Sequence, residues 1–332
     1  MKGGDHGMAP KLEDVAKLAQ VSKTTVSRVL NKRGYLSQTT IDKVYAAIKE
    51  LDYHPNVVAR QLYKNKTNLI GILLPTVANP FFGELTAALE MKLYQRGFKV
   101  LIGNSMNDPA KETEYLNELL TKQVDGLVVG THNQGIKQYE YRDLPVVAID
   151  RIMNQDIPII ESDNYRGGVV ATTRLIDQGA QHIIHINGPH GLATPTKRRR
   201  DAYEAVMQEH GLTPSTYEID FNLPEARKKQ LFRQLLIDRP DVDGIFSSND
   251  TDAALIMQLA HELGRKIPDD LLLIGYDGTK MVRELLPSLT TIVQPIDDLA
   301  TTAIQVLNDR MQGITTKKEY ILPIKLWQGD TA

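Results

Sequence analysis

The chain has 332 residues, 42% of them hydrophobic, and a formal net charge of −2; that length exceeds one hydrophobic core and gives two or three globular domains. The absence of cysteine excludes a disulfide framework and thiolate chemistry and suits a reducing compartment. No apolar run reaches the length of a membrane span and the opening MKGGDHGMAP has no signal-like apolar stretch, so the expectation is a cytoplasmic protein without a membrane partner.

The small net charge conceals an asymmetry. Residues 11–66 carry eleven Lys/Arg against five Asp/Glu, whereas residues 67–332 carry 27 against 35. A basic head on an acidic body is the pattern of a module that meets phosphates joined to a body that does not. A solvated charged face is the competing explanation.

Residues 1–10 read as a flexible lead. In VAKLAQVSKTTVSRVLN, residues 15–31, the apolar positions Val15, Leu18, Ala19 and Val21, then Val26, Val29 and Leu30, show helical spacing, a break, and helical spacing again. This predicts two short helices and a tight turn, with Ser22 as the N-cap of the second. Val26, Val29 and Leu30 point inward, leaving Lys23, Thr24, Thr25, Ser27 and Arg28 outward with donors for base edges or phosphates. The spacing alone equally fits a plain helical hairpin with a polar face. A third helix is expected over Ser37–Leu51, with Ile41, Val44, Tyr45, Ile48 and Leu51 closing a small core. In YHPNVVARQL, Pro55 can begin a two-turn helix over Asn56–Leu62 before a linker, too short to persist alone in water.

From Asn68 the pattern alternates short apolar runs with amphipathic helices. Strands are expected at 69–75, 99–103, 126–130, 146–150 and 157–162, with helices at 81–97 and 110–122. A second set follows, with helices at 167–177, 198–209, 225–237 and 251–263 and strands at 182–187, 244–248 and 271–275. Two α/β halves with parallel sheets bind ligands between them, at the carboxyl ends of the strands. The closing LTTIVQPIDDLATTAIQVLNDRMQG and YILPIKLW offer one more helix and strand.

Polar residues recur just past these strand ends: Asn79 with Phe81 and Phe82, Asn104, His132, Asp150 with Arg151, Asp163 with Asn164, Arg199, Asn249 with Asp250, and Asp277. A sugar needs this mixture, because amides and carboxylates pair with hydroxyls while an aromatic ring covers the apolar ring face. Asp250 is equally readable as a helix cap and Phe81 as core. The basic run Lys197, Arg198, Arg199, Arg200 is either a phosphate contact or a solvated helix start. No GxGxxG follows the first strand, and no Walker, HExxH or GxSxG motif is present, so no enzyme or cofactor is indicated. His182 and His185 fall on opposite faces of a strand, which disfavours a metal pair.

VAKLAQVSKTTVSRVLN, YHPNVVARQL and LIGILLPTVANPFFGEL together resemble the lactose/galactose-repressor family of bacterial transcription factors, from about Lys11 to the C-terminus. The resemblance implies an α/β protein with an N-terminal three-helix helix-turn-helix domain (11–53) and a hinge helix with linker (54–67). Two doubly wound parallel-sheet subdomains of the periplasmic-binding-protein kind follow, 68–164 plus 295–322 and 165–294 plus 323–332. It places Lys23, Thr24 and Arg28, with Thr25 and Ser27, toward the major groove, Asn31 and Asn56 on the DNA backbone, Ala59 in the hinge helix, and Leu62 as a minor-groove wedge. It places Asn79, Phe81 or Phe82, Asp150, Arg199, Asn249 and Asp277 around an effector. The absence of arginine near Ala193 counts against a purine.

A homodimer is implied, with no added tetramerisation helix. The strings THNQGIKQYE, IESDNYRGG, IGYDGT and LPIKLWQGD are most similar to sucrose-operon repressors of Gram-positive bacteria. The implied function is an allosteric repressor bound to double-stranded operator DNA and released by a sugar or sugar phosphate. The alternative is a global carbon-catabolite regulator acting with a phosphorylated carrier protein or a co-repressor.

Overall fold

The computed structural model describes residues 10–332 apart from 32, 55–65, 107, 132, 134, 142, 152, 154–155, 192–193, 195 and 221–222. The expected hinge helix, with Asn56, Ala59 and Leu62, and the positions His132 and Ala193 lie outside the described residues. Two compact units divide the chain, Met1–Asn65 and Lys66–Ala332.

The first unit holds α1 (Leu12–Leu18), α2 (Lys23–Leu30) and α3 (Gln38–Glu50). Ser22 caps α2 by accepting from the Thr25 amide at 3.1 Å, and Ser37 caps α3 by accepting from Thr40 at 3.3 Å. Each serine satisfies an amide that the helix start leaves without a partner. Val15, Val26 and Val44, one from each helix, are fully buried and Ala16, Ala19, Val29 and Ala47 close the core around them. Tyr45 departs from its expected place in the α3 stripe: it is 47% exposed, and Ala47 is buried instead. The small side chain at Ala47, three residues after Val44, lies on the buried face. Gly34 turns the chain between α2 and α3 with φ +70°, a conformation that glycine adopts freely.

The second unit contains two six-stranded sheets. The first is built from β1 (Leu69–Leu74), β2 (Lys99–Asn104), β3 (Gly126–Val129), β4 (Val146–Ile149), β5 (Ile159–Ser162) and a late strand β11 (Glu319–Leu322), in the order β11-β5-β4-β3-β1-β2, all parallel. Helix α4 (Pro80–Gln95) packs with α11 (Ile296–Met311) on one face, and α5 (Pro109–Leu120) covers the other. Burial on both faces is why β1, β3 and β4 read as unbroken apolar runs.

The second sheet holds β6 (Ile183–Asn187), β7 (Ser215–Glu218), β8 (Gly244–Ser247), β9 (Leu272–Asp277), β10 (Thr290–Val293) and β12 (Lys325–Trp327), in the order β12-β10-β9-β8-β6-β7. Only β12 runs antiparallel to its neighbour. Helices α6 (Asn164–Asp177) and α7 (Thr196–Glu209) lie on one face, α8 (Glu225–Asp238) and α9 (Asp250–Glu262) on the other. A short α10 (Lys280–Leu285) links β9 to β10.

The chain crosses between the sheets three times: after β5 at Asp163, after β10 at Gln294 and Pro295, and between β11 and β12 at Pro323 and Ile324. The stretch YILPIKLW is therefore two strands in different sheets rather than one. Pro323 lacks a donor for the ladder and ends the first of them. The sequence reading also passes over β7, β10 as a separate strand, and α10.

Candidate functional site

The exposed face of α2 carries Lys23, Thr24 and Arg28, with Thr25 and Ser27 half-buried beside them. Lys23 Nζ pairs with Glu13 of α1. The Thr25 hydroxyl is tied to Ser22 Oγ at 2.8 Å. A Cβ built on Gly34 would strike the Arg28 guanidinium, so Arg28 lies against that turn. Asn31 Nδ2 donates to the Ser27 carbonyl at 2.8 Å and closes the end of α2. Hydroxyls and two cations on one helical face can donate to phosphates and base edges.

A second polar cluster forms where the carboxyl ends of the two sheets meet. Asp150 follows β4 and Asp277 ends β9, and both stand in the left-handed region with φ +46° and +106°. Such backbone costs about 1–3 kcal/mol per non-glycine residue and persists only where its surroundings impose it. Arg199, one turn into α7, is buried; its Nε donates to Asn164 Oδ1 at 2.8 Å and its Nη1 to the Ser248 carbonyl at 2.7 Å. Its guanidinium lies 3.4 Å above the Tyr276 ring centre. Two glycines make this possible. A Cβ on Gly167 would stand 2.4 Å from the Tyr276 hydroxyl, and one on Gly168 would stand 2.6 Å from the Arg199 carbonyl.

Asn164 also donates to Asp150 Oδ1 at 3.4 Å. Gln294 donates to Asp277 Oδ1 at 2.8 Å and accepts from Ser162 Oγ at 2.7 Å, so it joins the end of β10 to the end of β5. Burial pushes the Asp150 carboxyl up, against the pull of Arg199. Asp277 is raised well above the usual carboxylate range, by burial first, with Arg199 opposing and Asp250 adding to the rise. Asp250 is pushed up to about 7 by burial, although the Thr291 hydroxyl and the Gly278 amide both donate to it, at 2.6 and 2.7 Å.

The expected residues fall into three groups. Asp150, Arg199 and Asp277 come together. Asn79 and Asn249 have their side-chain oxygens committed as helix caps, Asn79 to the Phe81 amide at 2.9 Å and Asn249 to the Asp252 amide at 2.8 Å. Thus Asn249, not Asp250, is the cap of α9, and Asp250 ties the end of β9 to β10. Phe81 is buried in the first sheet's core, whereas Phe82 is partly exposed near the end of β3, next to Gly130.

Arg151 turns away from Asp150 into a closed network. It pairs with Glu112 and reaches the Thr131 hydroxyl and the Asn133 carbonyl, while Thr131, Asn133 and Tyr139 donate to Glu112 at 2.6, 2.8 and 2.5 Å. Arg198 bridges Glu161 at 2.7 Å and Glu319 at 2.8 Å. Arg200 bonds Glu218 and the His190 ring, each at 2.8 Å. His185 is a core residue stacked 4.4 Å from Phe246, its pKa lowered to about 3 by burial. Asn164 is among the polar residues expected past a strand end, whereas Ser162, Tyr276, Ser248 and Gln294 were not singled out as contacts by sequence reasoning. The signal for Gln294 was present, since it follows the β-branched run Thr290–Val293 and precedes a proline.

Among the described residues no helix is long and apolar enough to cross a membrane. The model of "Bacterial regulatory proteins, lacI family" matches residues 11–56, and that of "Periplasmic binding protein-like domain" matches residues 172–332. The chain is 43% identical to the sucrose operon repressor of Pediococcus pentosaceus over 98% of its own length and 100% of that protein. It is also 43% identical to the ribose operon repressor of Halalkalibacterium halodurans over 95% of each. Among solved structures, the lac repressor dimer bound to operator and the anti-inducer ONPF superposes with a TM-score of 0.86 at 27% identity, covering 98% of this chain and 99% of that one. With a capped helix-turn-helix, two parallel sheets meeting at a polar cluster, and near full-length identity above 40%, the chain belongs to the lacI family of bacterial regulatory proteins, a transcriptional regulator rather than an enzyme.

Proposed function

We propose that the protein is a homodimeric repressor of a sugar-utilisation operon, most plainly a sucrose operon, and that a sugar bound between the two sheets releases it from its operator. The observation that carries this reading is the polar cluster of Asp150, Arg199 and Asp277, built from both halves and held in left-handed backbone at both aspartates. A sugar bridging Asp150 on the first half and Asp277 on the second changes how the halves meet, and a coupling of about 1–3 kcal/mol suffices to shift DNA affinity 5- to 150-fold. In this reading Lys23, Thr24, Thr25, Ser27 and Arg28 address the major groove, Asn31 and Asn56 the backbone, and Ala59 and Leu62 the central minor groove. Subdomain limits of 68–164 plus 295–322 and 165–294 plus 323–332 belong to the same reading, and the three crossings near residues 163, 294 and 323 support it.

Ribose is the second reading, supported by the ribose operon repressor relative at 43% identity. Fluorescence anisotropy of the full-length protein on DNA from its own upstream region, with and without sucrose or ribose, separates the two. Sucrose is expected to weaken binding. Arg28→Ala is expected to cost about 1–3 kcal/mol of preference for that DNA over random sequence. Equal affinity for both DNAs in the unaltered protein defeats the repressor reading.

A further inference from the structure

We infer that the effector held between the two sheets is a neutral, hydroxyl-rich molecule without a phosphate group, an inference that rests on the sugar-effector reading above. Charge at the cluster is the first ground. Three carboxyl groups, Asp150, Asp250 and Asp277, all pushed up by burial, share a single guanidinium, Arg199. Arg199 is itself occupied by Asn164, the Ser248 carbonyl and the Tyr276 ring. A phosphate monoester brings about −1.5 to −2 more charge and oxygens that only accept. It would enter a buried setting whose one guanidinium is already engaged, where a charge without a partner is costly.

The neighbouring cations are the second ground, because Arg151, Arg198 and Arg200 are each paired with a carboxylate elsewhere and Arg283 is engaged by a carbonyl and a ring. Arg151 is bound into the Glu112 network. Arg198 bridges Glu161 and Glu319. Arg200 bonds Glu218. Arg283 donates to the Gly278 carbonyl at 3.0 Å and lies 5.1 Å from the Trp327 ring.

Hydrogen-bond demand is the third ground. Asp277 ends β9 at the cluster, where Gln294 donates to one of its two carboxyl oxygens at 2.8 Å. The Ser248 hydroxyl, 2% exposed, has no hydrogen-bond partner among the described residues. Carboxylates and a hydroxyl at one site are met by a ligand whose own hydroxyls both donate and accept. A free sugar has them.

The test is calorimetric titration of the full-length protein with matched pairs: sucrose and sucrose 6-phosphate, D-fructose and fructose 6-phosphate, D-ribose and ribose 5-phosphate. At least one neutral sugar is expected to bind, with its phosphate ester at least about 100-fold weaker, the scale of a buried charge without a partner. The affinity of the neutral sugar is expected to stay within about twofold between about 0.1 M and about 1 M salt. Asp277→Asn, with folding checked by circular dichroism, is expected to weaken the neutral sugar at least about tenfold. A phosphate ester that binds as tightly as its parent sugar overturns the inference and leaves the sugar site standing. If none of the six binds while the protein still holds its DNA, the sugar-effector reading itself falls, and this inference with it.

Discussion

Asp150 and Arg151 are neighbours in the chain and end in opposite kinds of environment. Arg151 enters a network in which Glu112, fully buried, receives donors from Thr131, Asn133, Tyr139 and Arg151 itself. Asp150 enters a cluster in which three carboxylates face one guanidinium. The first is electrically closed and its acceptors are filled, which is what a scaffold requires of buried charge. The second keeps more carboxyl groups than cations and a hydroxyl without a partner, and those are the marks of a place where another molecule completes the bonding. Burial of charge alone does not separate the two; the balance of donors, acceptors and charge does.

The largest effect that tests this contrast is on stability. Arg151→Ala leaves the buried Glu112 carboxylate without its cation and is expected to cost about 3–5 kcal/mol, read from the urea midpoint of the full-length protein. The loop ends that hold Thr131 and Asn133 would loosen with it. A loss below about 1 kcal/mol would mean that the network is as open as the cleft cluster, and the contrast would dissolve.

A smaller effect is expected in the pH dependence of stability, where the unbalanced cluster leaves its signature. Asp250 and Glu161 are both pushed up to about 7 by burial, so the folded protein holds protons that the unfolded chain has released. Stability from these groups is greatest below the ordinary carboxylate range and is lost as pH rises through the folded value. His185 acts in the other direction: its folded pKa is lowered to about 3, so acid below its ordinary value favours the unfolded chain. Above about pH 6.5 the histidine is neutral in both states and only the carboxyl slope remains. Stability is therefore expected to fall between about pH 6.5 and pH 8, with Asp250 contributing at most about 1.4 kcal/mol per pH unit. Asp250→Asn keeps an acceptor for Gly278 and is expected to flatten that fall. An unchanged slope in the variant would show that Asp250 is ionised in the fold and that the cluster carries no excess of protons.

The sequence carried the scaffold more fully than the cluster. The helix-turn-helix is legible because its determinants are local: Ser22 three residues before Thr25, and valines spaced to one face at Val26 and Val29. The sheets are legible because strands buried on both faces are unbroken apolar runs. Asp150, Arg199 and Asp277 are reachable by the rule that ligands gather at strand ends. What makes them a cluster is not local. Asn164 meets Arg199 across 35 residues and Ser162 meets Gln294 across 132. Sequence spacing does not separate Arg199, which enters the cleft, from Arg198 and Arg200 on either side, since one step along a helix turns a side chain through about 100°. The same step along the chain at the end of β4 divides Asp150 from Arg151.

The exposed ion pair of the reading head is the limiting case of the contrast. Lys23 and Glu13 keep 60% and 62% of their side-chain surface in water, so the pair is neither closed nor buried. Water screens both charges, and Glu13→Gln is expected to change the stability of the protein by less than about 0.5 kcal/mol. Its effect on DNA has the opposite weight. The variant removes a negative charge from beside the reading face and frees Lys23, so affinity for operator DNA is expected to rise by about two- to threefold at low salt and to converge with the parent as salt is raised. Parallel anisotropy titrations at two salt concentrations measure this. A stability loss above about 1 kcal/mol with no gain in DNA affinity would make the pair a structural tie between α1 and α2. The opposite pattern makes Glu13 a brake on Lys23 and supports the place proposed for that lysine at DNA, an ion pair whose worth lies in what it withholds from a partner rather than in the fold.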